Sequence, residues 1–175
     1  MKKVLNILGI LAAMVATFFL LTKLFLYYAN RPLDAAAIPQ TEQADESKEV
    51  LLFIGKTHES FNGFLNYGKA EKYNEGDWKQ LRQWFAEQES ALKDIHQKTK
   101  NKKVKEDLIK SYELAKLGVE KGNIQLVIYS HRIYHDLDII LNRNTSETNI
   151  WGYTEFGNGE NIKIVEEELQ KHKNG

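Results

Sequence analysis

The stretch IQLVIYSHRIYHDLDIIL, residues 124–141, decides how the chain is built. On a helical wheel at about 100° per residue, Leu126, Tyr129, Leu137 and Ile140 fall within about 40° of Ile133. They make one apolar stripe, the face a helix buries. His131, His135 and Asp138 gather around the opposite pole, so they share a face that is not the core face. Two imidazoles one turn apart are able to chelate a divalent ion, and a carboxylate one turn further extends the row. His58 and His96 are available as further ligands. Neither a Glu-x-x-His pair nor a His-Glu-x-x-His motif occurs, so the signatures of di-iron bundles and helical metalloproteases are missing. Val127, Ile128 and Ile139 flank the trio and make the helix apolar on more than one side. That also suits a central helix whose histidines bond to neighbours. The leading expectation is structural or surface histidines, followed by a protein-contact face, then a metal site at His131, His135 and Asp138.

Similar stripes lie on either side of this helix. Val50, Ile54, Phe61, Phe64, Leu65 and Tyr67 recur at spacings of three and four and predict a helix over about residues 46–72. Gly55, Gly63 and Gly68 weaken it, at about 1 kcal/mol of propensity each. NEGD at 74–77 breaks the chain and offers Asp77 as an N-cap for a helix from Trp78. Its stripe is Trp78, Leu81, Phe85, Leu92 and Ile95. A third helix carries Val104, Leu108, Tyr112, Ala115 and Val119 and ends at Gly122. Short loops between helices of this length predict an antiparallel, up-down array of about four helices.

The chain then turns polar and glycine-rich, with Trp151, Tyr153 and Phe156 alternating inside WGYTEFG. Three large aromatics in a loop are costly to leave in water. They form either a plug over the end of the bundle or a candidate interaction surface for a partner. Ile162, Val165 and Leu169 predict a short amphipathic C-terminal helix.

The N-terminus reads differently. Val4 to Thr22 carries no charge, and the apolar run resumes to Tyr28. Roughly 20 apolar residues cross the ~30 Å hydrocarbon layer. Tyr27 and Tyr28 suit the interfacial belt, and Lys2 and Lys3 favour a cytoplasmic N-terminus. Residues 1–29 are therefore expected to be an uncleaved transmembrane signal-anchor, 30–45 a linker, and 46–175 a helical domain outside the cytoplasm. A signal h-region is shorter, at about 7 to 15 residues. Cleavage near Ala37, after the small pair Ala35 and Ala37, is the alternative and would release a secreted domain.

The chain has 175 residues, no cysteine and zero formal net charge. Disulfides, thiolate ligands and a cysteine nucleophile are excluded, and no global basic field argues for nucleic acid. There is no phosphate-binding glycine loop and no nucleophile elbow. The lysine-rich KTKNKKVK turn is read as solvated.

HRIYHDLD, followed about a dozen residues later by WGYTEFG, resembles a pattern in small single-span membrane proteins of Gram-positive bacteria that have no assigned activity. The resemblance covers the last third of the chain. It implies a bacterial, membrane-anchored protein and supplies no catalytic residues. The combined expectation is an all-α chain: a membrane helix, then an antiparallel bundle with a short C-terminal helix. Its partners would be the lipid bilayer and another protein, with no cofactor. The alternative is a metal-dependent helical protein.

Overall fold

The computed structural model describes residues 14–21, 33–34, 44–65, 69–143 and 149–173. The chain divides into two compact units, Met1–Pro32 and Leu33–Gly175. In the first, residues 14–21 are helical and every side chain is exposed. The rest of the Val4–Tyr28 span lies outside the described residues, as do Ala35 and Ala37. Among the described residues, no helix is long and apolar enough to cross a membrane.

The second unit is the expected helical bundle. Its helices are α1 (Lys48–Leu65), α2 (Glu75–Lys98), α3 (Lys102–Lys121), α4 (Ile124–Asn142) and the short α5 (Ile162–Lys173). The neighbours α1–α2, α2–α3, α3–α4 and α4–α1 close a ring, and α5 leans on α3. The stripes read from sequence point inward: Val50, Ile54, Phe61, Leu81, Phe85, Leu92, Val104, Leu108, Leu126, Ile133 and Leu137 are all buried in one core.

The boundaries differ in ways that have local causes. α1 stops at Leu65, and a 3₁₀ turn, Ala70–Lys72, leads to α2. α2 starts at Glu75 because Asn74, rather than Asp77, is its N-cap. The Asn74 side chain accepts from the backbone of Gly76 and Asp77, and Asp77 returns a bond to the Asn74 N–H, a capping box. Asn101 caps α3, accepting from the N–H groups of Lys103 and Val104, and Asn123 caps α4, accepting from that of Gln125. The turn between those two helices closes at Gly122, whose φ of 63° is left-handed and suits glycine.

The stretch assigned to the linker belongs in part to the domain. Leu33–Asp34 (β1) pairs antiparallel with Asn149–Ile150 (β2), with Leu33 opposite Ile150. Just beyond its other end Glu46 is buried, and its carboxylate accepts from the N–H groups of Lys100 and Asn101 at the α2–α3 turn. Composition marks this stretch as polar and proline-bearing, but a strand of two residues and a single anchoring carboxylate leave no periodicity to read.

The α3–α4 contact is close enough to forbid a methyl group. A Cβ on Gly118 would lie 2.6 Å from Val127 Cγ2 and 3.0 Å from the Val127 nitrogen and the Asn123 oxygen. Alanine is ordinarily the better helix former by about 1 kcal/mol. Here the overlap, with backbone atoms unable to yield, costs about 1–3 kcal/mol. Gly118→Ala is therefore expected to lower the urea midpoint; a raised midpoint would mean the helices are further apart than described.

Candidate functional site

α4 has no outward face over its middle. Every residue from Arg132 to Ile139 is buried, and His131 and Ile140 at its two edges keep partial exposure. The wheel's exposed pole is corrected accordingly: α1 covers it. His135 and Asp138 are buried, and His58 of α1, also buried, meets them. The imidazoles of His58 and His131 stack with centroids 5.4 Å apart, and His135 stands edge-on to His58 at 5.1 Å. His96, the other imidazole considered, sits at the end of α2, its Nδ1 bonding to the Lys93 carbonyl at 2.6 Å.

Polar atoms alternate across this contact. Asn142 of α4 donates to the Leu51 carbonyl of α1 at 3.0 Å and to Asp138 Oδ1 at 2.6 Å. Asp138 Oδ2 lies 2.8 Å from His58 Nδ1. His58 Nε2 lies 3.2 Å from Asn62 Nδ2, and Asn62 Oδ1 lies 2.8 Å from His131 Nε2. The chemistry sets the tautomers. An ionised carboxylate only accepts, so His58 donates to Asp138 from Nδ1 and turns Nε2 to the Asn62 amide. The Asn62 carbonyl then requires a proton on His131 Nε2. Both His58 nitrogens and His131 Nε2 thus face hydrogen-bonding partners. Burial, reinforced by the imidazoles of His58 and His135 and the Arg132 guanidinium, pushes His131 down to about 3.

Among the described residues, no group of three or more histidine, aspartate or glutamate side chains is arranged to hold a metal ion. His131 presents an N–H toward Asn62, His58 Nε2 faces the Asn62 amide, and Asp138 is tied to His58 and Asn142. Low-micromolar zinc is expected to leave the melting temperature of the chain unchanged. A zinc-dependent rise abolished by His135→Ala would contradict that, since a ligand bound only to the folded state must stabilise it.

The other half of α4 holds the tail. Asp136, fully buried, accepts from the Trp151 N–H at 2.7 Å and the Tyr153 N–H at 2.9 Å. Arg132 donates to the Tyr153 hydroxyl at 2.9 Å and lies 4.2 Å over the Trp151 ring. Asp107 of α3 repeats the device, accepting from the N–H groups of Glu155 and Phe156 at 2.8 and 3.0 Å. Burial pushes the Asp107 carboxyl up to about 7, against the pull of those two N–H groups and the Lys110 ammonium. Tyr153 and Phe156 are buried and Trp151 is half-buried. The aromatic loop is thus the plug, and its reading as an interaction surface is corrected for Tyr153 and Phe156. They turn inward because two buried carboxylates pull their backbone onto the bundle.

The residues that sequence reasoning passed over are Asn62, Asp107, Arg132 and Asp136. Asp107 carried a signal: it lies between Val104 and Leu108, one residue off the apolar stripe, where an exposed acid is unexpected. Asp136 carried none, because its partners are backbone N–H groups.

Fold and site together define a four-helix bundle with a buried histidine network on one side of α4 and a carboxylate-latched aromatic tail on the other. No protein-family model, curated protein or solved structure matches the chain.

Proposed function

We propose that the chain is a single-span membrane protein whose helical domain lies outside the cytoplasm and acts through contacts with another protein. The observation that carries this reading is the helical stretch at residues 14–21. Six of its side chains are large and apolar, and each is between 60% and 74% exposed: Met14, Val15, Phe18, Phe19, Leu20 and Leu21. A helix apolar on all sides is matched by an apolar solvent. The uncharged run from Val4 to Thr22 and the lysines before it give the direction of insertion.

Two observations support the rest. Leu33–Asp34 is a strand of the domain, so cleavage after Ala37 would strip an element from it, which favours the uncleaved anchor over secretion. His58, His135, Tyr153 and Phe156 face inward, which turns attention to the outer surface. There an open depression on α1 is lined by Lys48, Leu51, Leu52, Lys56, Glu59 and Asn142, with Leu52 52% exposed.

The test is expression of the full chain with a C-terminal tag in a bacterial host. The tagged protein should stay with the membrane through an alkaline carbonate wash, retain its N-terminal residues by mass, and lose its tag to protease added outside intact protoplasts. A chain found free in the medium and beginning after Ala37 would establish secretion instead; a tag protected until the membrane is broken would reverse the orientation.

A further inference from the structure

We propose that the depression on α1 is a self-docking face: a second copy of the chain lays its own α1 antiparallel across it. Among the described residues of the second unit, Leu52 is the one large apolar side chain that stands exposed. It lies on the side of α1 turned away from the core stripe of Val50, Ile54, Phe61 and Leu65. Beside it Gly55 leaves a dent, bounded toward α4 by Asn142. A Cβ on Gly55 would come to 3.3 Å from Asn142 Nδ2 and Asp138 Oδ1, so a side chain there would crowd the seam between the helices. A knob and a hole therefore sit next to each other on one face.

The spacing makes this face complementary to itself. Lys48, Leu52, Gly55 and Glu59 follow one another at intervals of four, three and four, the a/d spacing by which two helices pack. An antiparallel partner, related by a two-fold axis midway between residues 53 and 54, brings position 48 beside 59 and position 52 beside 55. Lys48 then meets the partner's Glu59, and Leu52 enters the gap left by the partner's Gly55. Each contact occurs twice, as an isologous interface requires. A parallel pair would instead set Lys48 beside Lys48 and Glu59 beside Glu59, with both glycine gaps unfilled. Among the described residues, neither Lys48 nor Glu59 has an ion pair within its own chain, whereas the neighbouring Glu49 is taken by Lys98.

The size of the face sets the strength. The row from 48 to 59 is about 17 Å long at about 1.5 Å per residue, and a helix is about 10–12 Å across. That falls well short of the ~800 Å² per partner of a standard stable interface. The pairing is therefore weak and reversible, and it is populated where tethering to one membrane concentrates the chains. In that respect it rests on the membrane span and protein-contact reading proposed above, and it supplies the partner for that reading.

Sedimentation equilibrium of the full chain in detergent micelles should show a reversible dimer that weakens as salt is added. Lys48→Glu and Glu59→Lys each turn both polar contacts from opposite to like charge, and each should raise the dissociation constant by about tenfold. An equal mixture of the two variants should restore it, because every glutamate at the contact then faces a lysine again. Leu52→Glu, at an exposed position, should keep the helical circular dichroism and abolish the dimer. The chain has no cysteine, so an introduced thiol is unique. Differently tagged Lys48→Cys and Glu59→Cys chains, expressed together in a bacterial membrane, should be joined by a short bis-maleimide. Either variant alone should give at least about tenfold less product, since equivalent positions lie about 17 Å apart along the pair. A chain that stays monomeric, a dimer that Leu52→Glu leaves intact, a mixture no tighter than its single variants, or equal cross-linking by each cysteine variant alone would overturn the proposal. A cross-linked product of another mass would give the depression to a different protein, which overturns self-pairing and leaves the protein-contact reading standing. Failure of the carbonate or protease test above would remove the membrane span and leave the register measured in micelles untouched.

Discussion

Phe61→Ala is expected to destabilise the domain by about 3–5 kcal/mol, the range for an aromatic side chain deleted from a core. Phe61 is fully buried on α1. Its ring stands edge-on to Trp84 of α2 at 5.2 Å and lies 5.8 Å from Tyr134 of α4, so one side chain joins three helices. The cavity would be bounded by rigid rings and by the histidine stack, 6.1 Å from His131, which leaves little to collapse into it. Phe64, half-buried on the same helix with its ring 5.5 Å from that of Trp84, is the control and should cost clearly less when truncated. The difference appears in thermal melts as a drop of roughly 10 °C for Phe61→Ala. Equal effects from the two variants would mean that α1 does not present Phe61 to the core.

Asp136→Ala is the second large effect. It removes both acceptors from the N–H groups of Trp151 and Tyr153, and each buried donor left unpaired costs about 1–3 kcal/mol. The expected loss is about 3–5 kcal/mol on that basis, less whatever water recovers at the half-buried Trp151. The loss has a place as well as a size: the tail from Ile150 to Asn161 should become sensitive to protease while the four helices keep their circular dichroism. Asp136→Asn retains one acceptor oxygen and should fall between the two. An Asp136→Ala protein whose tail resists protease as the wild type does would show that Asp107 and the aromatic packing hold the tail without it.

The helices themselves are legible in the chain. Trp78, Leu81, Phe85, Leu92 and Ile95 are spaced to share a face, and they are buried together. Asparagine and glycine at 74, 101, 122 and 123 mark where the helices begin and end because capping is a local bond within a few residues. Periodicity gives one buried face per helix with confidence only when the other faces are plainly polar. α4 breaks that condition.

What the sequence by itself determined is thus the number of helices, their order, their core stripes, and the aromatic tail that has to be buried somewhere. The second face of α4 was decided by tertiary structure alone. Histidine and aspartate on a helix face are as compatible with water as with a neighbour, and the choice depends on whether His58 and Asn62, about seventy residues earlier, arrive with the complementary donors and acceptors. The tail was decided the same way. Asp107 and Asp136 bind backbone N–H groups, which every residue but proline possesses, so no residue type in the tail announces the bond. Burying a carboxylate is favourable only when such donors are delivered to it, and that delivery exists only once the bundle has closed.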